Sequence, residues 1–283
     1  MDNIYLSSIS LSDRYKLNEI IKFSQKSKIK IEFSSGIEYF ENAEKLIIDS
    51  KLDCYIHNYF PAPAIPYVIN LASSNKKIRE LSIAHCINGL KLSKKIGAEF
   101  YSAHAGFCID PKPSELGSSL TLTKEYDRES HFKLFINSLA DILRVAKKLN
   151  IKFLIENNVL SKKNYLMHKN PLLGVSSEGL LNIFSKINSE NFGLLFDTAH
   201  FKVSCNTLSL VTDVEYNKIA HLVHAIHHSD NNGEEDSNSV LGPNYWFTQY
   251  YASSKSLIHV LEVKKLNLKE INQQLNYLAD GLK

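Results

Sequence analysis

Short runs of apolar and β-branched residues alternate along the chain with longer stretches of helical period. Eight strands are predicted, over residues 3–7, 29–33, 54–57, 100–104, 152–156, 193–197, 222–227 and 258–262. The runs FLIE, LLFD and HVLE are nearly continuous in apolar residues, as in parallel strands buried on both faces. Between strands, Phe132, Phe135, Ile136, Leu139, Ile142, Leu143 and Ala146 trace one face of a helix. Ile83, Ile87 and Leu90 make a similar stripe, and residues 267–282 predict a closing helix with Leu268, Ile271, Leu275 and Leu278 on one face. Ser177 stands where an N-cap is expected, before Glu178 and a helical run. Eight strands alternating with helices predict an α/β protein built as a single (β/α)8 TIM barrel. A doubly wound sheet needs a Gly-rich phosphate loop after an early strand, and the sequence has none.

Two stretches break the rhythm. Residues 57–75 carry Pro61, Pro63 and Pro66 and follow the third strand; residues 105–127 follow the fourth. Loops of this length inside a compact domain are usually functional, so both are expected to cover the barrel mouth around a small substrate. There is no internal repeat, low-complexity tract or interdomain linker, which predicts one domain spanning 1–283.

Composition narrows the class without naming a function. A chain of 283 residues with 44% apolar and 22% charged residues is an ordinary globular protein, not a disordered one. It can bury roughly 75% of its unfolded surface, so it folds without disulfides or metals. The 33 Lys+Arg against 30 Asp+Glu leave a net charge of +3, too little to argue for nucleic acid. Four cysteines, at 54, 86, 108 and 205, include no CxxC pair and read as reduced thiols. No apolar run approaches the roughly 18–20 residues of a membrane span. The N-terminal stretch has no basic segment leading into an apolar one. The expectation is a cytoplasmic protein with no membrane partner.

Active sites of α/β barrels form at the C-terminal ends of the strands. Strands three to eight end in His57, His104, Glu156, Asp197, His227 and Glu262. Singly, such a residue is usually a loop cap or a solvated polar group. Jointly, they would converge on one mouth. Glu156 and Glu262 directly follow apolar runs, where a carboxylate is costly unless paired or bound to metal. A mixed imidazole and carboxylate set favours zinc, manganese, iron or cobalt over calcium. His200 follows Asp197 by three residues and is close enough to share the site. His227, not His228, keeps the strand-end phase. Asp230 and Asp236 are further candidates for metal or substrate, whereas His85, His131, His168, His221, His224 and His259 read as structural or surface residues.

The pieces IEN at 155–157, FDTAH at 196–200, AIHHSD at 225–230 and LEV at 261–263 resemble the xylose isomerase-like TIM-barrel superfamily. That superfamily includes sugar isomerases, sugar epimerases and the endonuclease IV family of abasic-site nucleases, and the resemblance covers nearly the whole chain. It implies that Glu156, Asp197, His227 and Glu262 bind one divalent metal. It implies that His57 and His104 are the pair holding a second metal in the nuclease branch. His200 would contact substrate, as in the epimerases, or ligate a third metal, as in the nucleases. The chain departs from both branches. The nuclease pattern D-R-H reads Asp236-Ser237-Asn238 here, and the stretch Tyr67–Leu71 looks like the nuclease piece that enters DNA, after a longer loop. The Arg and second Glu of ketose 3-epimerases are replaced by Gly233 and Lys162.

Three functions follow. The first is isomerisation or epimerisation of a small sugar or sugar phosphate. One or two divalent metals would stabilise the developing enediolate, with Glu156 and Glu262 as acid and base and His200 on the substrate. The alternative is an endonuclease IV-like phosphodiesterase acting on abasic DNA. The modest charge and the Asn at 238 weigh against it. The third is a decayed, metal-free barrel, which would have lost one of the four core ligands; none is lost.

Overall fold

In a computed structural model, which describes residues 3–121, 125–165 and 169–283, eight parallel strands close on one another in sequence order. They are β1 (Ile4–Ser7), β2 (Ile31–Phe33), β3 (Cys54–His57), β4 (Phe100–His104), β5 (Lys152–Glu156), β6 (Phe192–Asp197), β7 (Val223–His228) and β8 (Ile258–Leu261). Every predicted strand is present, with ends shifted by at most two residues. Three positions of the 105–127 loop, and His168, lie outside the described residues. Among the described residues no helix is long and apolar enough to cross a membrane.

The two-residue period of a strand sorts its side chains between barrel interior and helix layer. Tyr5, Tyr55, Phe100, Leu154, Leu195, Ala225 and Val260 form one buried cluster inside the barrel. Their odd-phase neighbours, such as Ile56, Tyr101, Ile155, Phe196, Ile226 and Leu261, belong to the large outer core beneath the helices. One further step of two along each strand reaches His57, Ser102, Glu156, Asp197, His227 and Glu262. An apolar plug therefore closes the barrel from below, and a polar layer lies directly on it.

Nine α-helices are seen among the described residues: α1 (Leu17–Ser27), α2 (Ala43–Ser50), α3 (Lys76–Ile96), α4 (Arg128–Leu149), α5 (Ser177–Lys186), α6 (Thr198–Thr207), α7 (Thr212–Ile219), α8 (Tyr251–Ser254) and α9 (Leu268–Gly281). Two local expectations need correcting, and a third needs adding to. The cap of α5 is Ser176, whose hydroxyl accepts from Gly179 N at 3.2 Å; Ser177 is already in the first turn and bonds the Glu215 carboxylate. In α9, Leu268 points outward and is 44% exposed, while Ile271 and Leu278 are buried. In α3, Leu90 of the expected stripe is fully buried and Ile83 and Ile87 are half-buried against the core, and the face turned inward also carries Ser82, Cys86 and Gly89. Small residues bring this helix close to β4: a Cβ on Gly89 would lie 2.3 Å from the Tyr101 ring.

Behind β7 and β8, a buried chain of polar groups runs from His259 to Thr198. The Nε2–H of His259 donates to Ser254 O at 3.0 Å, and its Nδ1 is 2.8 Å from His228 Nε2. His228 Nδ1 lies 2.9 Å from the Tyr245 hydroxyl, which is 2.7 Å from that of Thr198. Burial pushes His259 from an ordinary 6.5 down to about 4. Below pH 6.5 the unfolded chain binds a proton here that the folded chain refuses. Stability is thus intact above that pH and falls as pH drops toward 4, by up to about 3 kcal/mol. Urea unfolding of wild type and His259→Asn at pH 7 and pH 4.5 checks this. The variant should show the shallower acid loss, and equal losses would remove His259 from the account.

Candidate metal centre

The six predicted strand-end groups come together in the polar layer. Ligating atoms of Glu156, Asp197, His227 and Glu262 all lie within 4.8 Å of one another, and so do those of His57, His104 and Glu156. Glu156 belongs to both sets. Its Oε2 is 3.1 Å from His57 Nε2 and 3.0 Å from His104 Nδ1, and its Oε1 is 3.4 Å from His227 Nδ1. His227 Nδ1 also sits 2.9 Å from Glu262 Oε2 and 3.9 Å from Asp197 Oδ2. All of these side chains are buried except that of His104, which is 29% exposed toward the mouth.

Close approach here is not hydrogen bonding. Glu156 Oε2, Asp197 Oδ2, His104 Nδ1 and His227 Nδ1 are buried and have no aligned hydrogen-bond partner. Lone pairs that crowd a shared space without facing one another are what a cation among them would satisfy, and nitrogen with carboxylate oxygen is a donor set for zinc, manganese, iron or cobalt. The residues present therefore fit a divalent metal.

The electrostatics agree. Burial pushes the Asp197 carboxyl up to about 7; His200 offsets part of this, and Glu156 and Glu262 add repulsion. Burial also opposes the charge of Glu156, yet the imidazoles of His104 and His57 hold its pKa well below the usual range. Burial would neutralise His227, but Glu32 and Glu262 hold its pKa well above the ordinary value. His104, less strongly compensated by Glu156, is pushed by burial down to about 4.

Neighbouring backbone and amide groups fix this layer. The Asn157 side chain spans β5 and β6, donating to Asp197 O at 3.0 Å and accepting from Asp197 N at 2.8 Å. Asp197 caps α6, its Oδ1 accepting from His200 N at 2.7 Å. His200 donates from Nδ1 to Asn157 O at 3.0 Å, which turns its Nε2 toward Asp236 Oδ2, 3.3 Å away. Asn238, buried and left-handed at φ 45, lies beside this pair against the cavity. Asp230 is committed elsewhere: its carboxylate takes Lys202 Nζ at 2.7 Å and Asn231 N at 2.8 Å.

A cavity of about 370 Å³ opens above the centre, lined by His57, His104, Glu156, His200, Asp236 and Glu262. Tyr59 and Ile69 from the 57–75 loop and Phe107, Leu116 and Leu120 from the 105–127 loop also line it. Asn70 ties the loops together, accepting from Phe107 N at 2.9 Å and donating to Asp110 Oδ1 at 2.8 Å. Tyr67 is not among the lining residues; its hydroxyl donates to Leu81 O on α3 at 3.2 Å.

Sequence reasoning missed Glu32. It is fully buried inside the barrel, and its two carboxylate oxygens lie 3.0 and 3.1 Å from His227 Nε2. The available signal was a carboxylate between Ile31 and Phe33 in an otherwise apolar strand, where burial without a partner is costly.

Residues 23–256 match the sequence profile of the xylose isomerase-like TIM barrel family. An uncharacterised protein of Methanocaldococcus jannaschii is 24% identical over 217 residues, 76% of this chain and 67% of its own. A probable endonuclease 4 of Persephonella marina is 28% identical over 134 residues, 47% of this chain and 39% of its own. Among solved structures, a D-tagatose 3-epimerase-like protein superposes with a TM-score of 0.74 at 18% identity, covering 99% of this chain and 97% of its own. A D-psicose 3-epimerase from Clostridium cellulolyticum H10, solved with D-tagatose, gives 0.69 at 12% identity, covering 99% and 98%. At these identities the structural likeness establishes the fold.

Proposed function

The chain belongs to the xylose isomerase-like TIM-barrel family, and from that premise we propose that it is a divalent-metal-dependent isomerase or epimerase of a sugar or sugar phosphate, acting in the cytoplasm. The observation that carries this reading is the convergence of Glu156, Asp197, His227 and Glu262 in a buried layer beneath a cavity sized for a small molecule.

Glu156, Asp197, His227 and Glu262 would hold one ion, and His57 and His104, sharing Glu156, a second beside it. Bound there, a divalent ion supplies Lewis acidity toward a carbonyl and an adjacent hydroxyl oxygen. The chain's own groups do the rest. Glu156 and Glu262 exchange a proton with carbon on the two faces of the sugar, one removing it and the other returning it. Glu262 is suited to this because its Oε1 accepts no more than a long hydrogen bond, from Ser7 Oγ at 3.5 Å, among the described residues. His200, with Nδ1 fixed on Asn157 O, presents Nε2 to a substrate hydroxyl beside Asp236. The loops 57–75 and 105–127 exclude water.

The test is a panel of ketoses and ketose phosphates incubated with the metal-loaded protein in deuterated water. Deuterium entering at carbon next to the carbonyl supports the proposal, and no exchange with any member counts against it.

The paired His57 and His104 and the likeness to a probable endonuclease 4 favour one second reading, metal-dependent cleavage at abasic sites. Asn238 separates the two. An amide oxygen is a far poorer zinc ligand than imidazole, so a third ion between His200, Asp236 and residue 238 should be absent or weakly held. We expect one or two tightly held ions per chain and little or no cleavage of an abasic oligonucleotide. Asn238→His should raise metal content by one. Three ions in dialysed wild type, or efficient cleavage, would promote the nuclease.

A further inference from the structure

The geometry points to Glu32 as a positioning residue of this centre: it fixes His227 with its proton on Nε2, so that Nδ1 is the nitrogen offered to the metal. The inference rests on the metal centre proposed above and adds to it a group from β2, a strand that contributes none of the ligands named there.

The two nitrogens of His227 have different surroundings. Nε2 makes an aligned hydrogen bond to Glu32 Oε2 at 3.1 Å, with Oε1 at 3.0 Å. An ionised carboxylate only accepts, so Nε2 must carry the proton. Nδ1 faces three carboxylates, from Glu262, Glu156 and Asp197, at 2.9, 3.4 and 3.9 Å. None of the three is aligned with it, and Nδ1 is buried without a hydrogen-bond partner. The ring is thus bonded on one side and open-ended on the other, toward the metal position. Both Glu32 and His227 are fully buried, so water cannot take over either role. His57 packs edge-on against His227 with centroids 5.0 Å apart, which resists a ring flip. A carboxylate bonded to the far nitrogen of a ligating histidine sets its tautomer and raises its basicity, and losing it typically costs 10–100-fold in metal affinity.

The test is titration of the full-length, metal-stripped protein with Co²⁺, read by visible absorption and calorimetry. Glu32→Gln keeps the shape of the side chain and an acceptor for Nε2–H but loses the charge; Glu32→Leu loses both. We expect binding weakened about 10-fold in the first and about 100-fold in the second, with unchanged circular dichroism. In the Zn²⁺-loaded wild type, nitrogen NMR should find the His227 proton on Nε2. A role in packing alone would leave Glu32→Gln at wild-type affinity, and that result would overturn the inference. A proton on Nδ1 would do the same. A wild type that takes up no divalent ion would defeat the metal centre and this inference together. A wild type that binds metal but exchanges no sugar proton would defeat only the sugar reading.

Discussion

Glu156→Gln should abolish turnover, by at least about 10³-fold, and leave the barrel folded. Loss of a positioned acid or base alone costs about 10²–10⁴-fold. This side chain also joins the Asp197–His227–Glu262 set to the His57–His104 pair, so loss of its charge weakens metal binding as well. The amide conserves volume, and Glu156 lies above the apolar plug and contributes nothing to it. Circular dichroism should therefore be unchanged while deuterium exchange into substrate disappears. Glu262→Gln should behave alike, with less metal lost, because Glu262 belongs to the four-residue set alone. Retained activity in either variant removes that residue from the mechanism.

Removing the metal should lower the unfolding temperature by about 8 °C. An ion present at 1,000 times its dissociation constant contributes about 4 kcal/mol to the folded state, and a chain of this size shifts by about 2 °C per kcal/mol. The physical source is local. Three buried carboxylates, from Glu156, Asp197 and Glu262, face one another across a few ångströms, and a fourth, Glu32, lies on the other side of the His227 ring. Without an ion the layer holds together by protonating His227, whose pKa Glu32 and Glu262 hold high against burial, and Asp197, whose carboxyl burial pushes up to about 7. Scanning calorimetry with and without chelator, followed by readdition of Mn²⁺ or Zn²⁺, checks both the loss and its recovery. An unfolding temperature indifferent to chelator would mean that the cluster is held together by its own ion pairs.

Much of the barrel and its polar layer could be read from residue order. In β3 and in β5 through β8 an apolar interior residue is followed two positions later by a candidate ligand: Tyr55 and His57, Leu154 and Glu156, Leu195 and Asp197, Ala225 and His227, Val260 and Glu262. That repeat places these five groups in one layer because the strands are parallel around a closed barrel, with Ser102 at the matching position of β4 and His104 two residues beyond it. Glu32 escaped because it sits inside a three-residue strand, and its meaning depends on His227, 195 residues away in sequence. Asn157 and Tyr245 escaped for the same reason; each acts through a tertiary hydrogen bond that no local pattern encodes. In α3 the apolar stripe told only part of the packing: Leu90 is buried and Ile83 and Ile87 lie against the core, but Ser82, Cys86 and Gly89 also turn inward, where their small size lets the helix approach β4. Asp230 was a matter of partner choice, decided by the nearby Lys202.

The central claim is that the polar layer is a metal centre, and metal analysis of protein purified without added metal tests it most directly. Elemental analysis by mass spectrometry, on wild type and on a Glu156→Gln, Asp197→Asn double variant, gives the count per chain. The account predicts one or two equivalents of a transition metal in the wild type, surviving dialysis, and almost none in the double variant of unchanged fold. Wild-type protein that carries no metal and takes up none of zinc, manganese, iron or cobalt would contradict it.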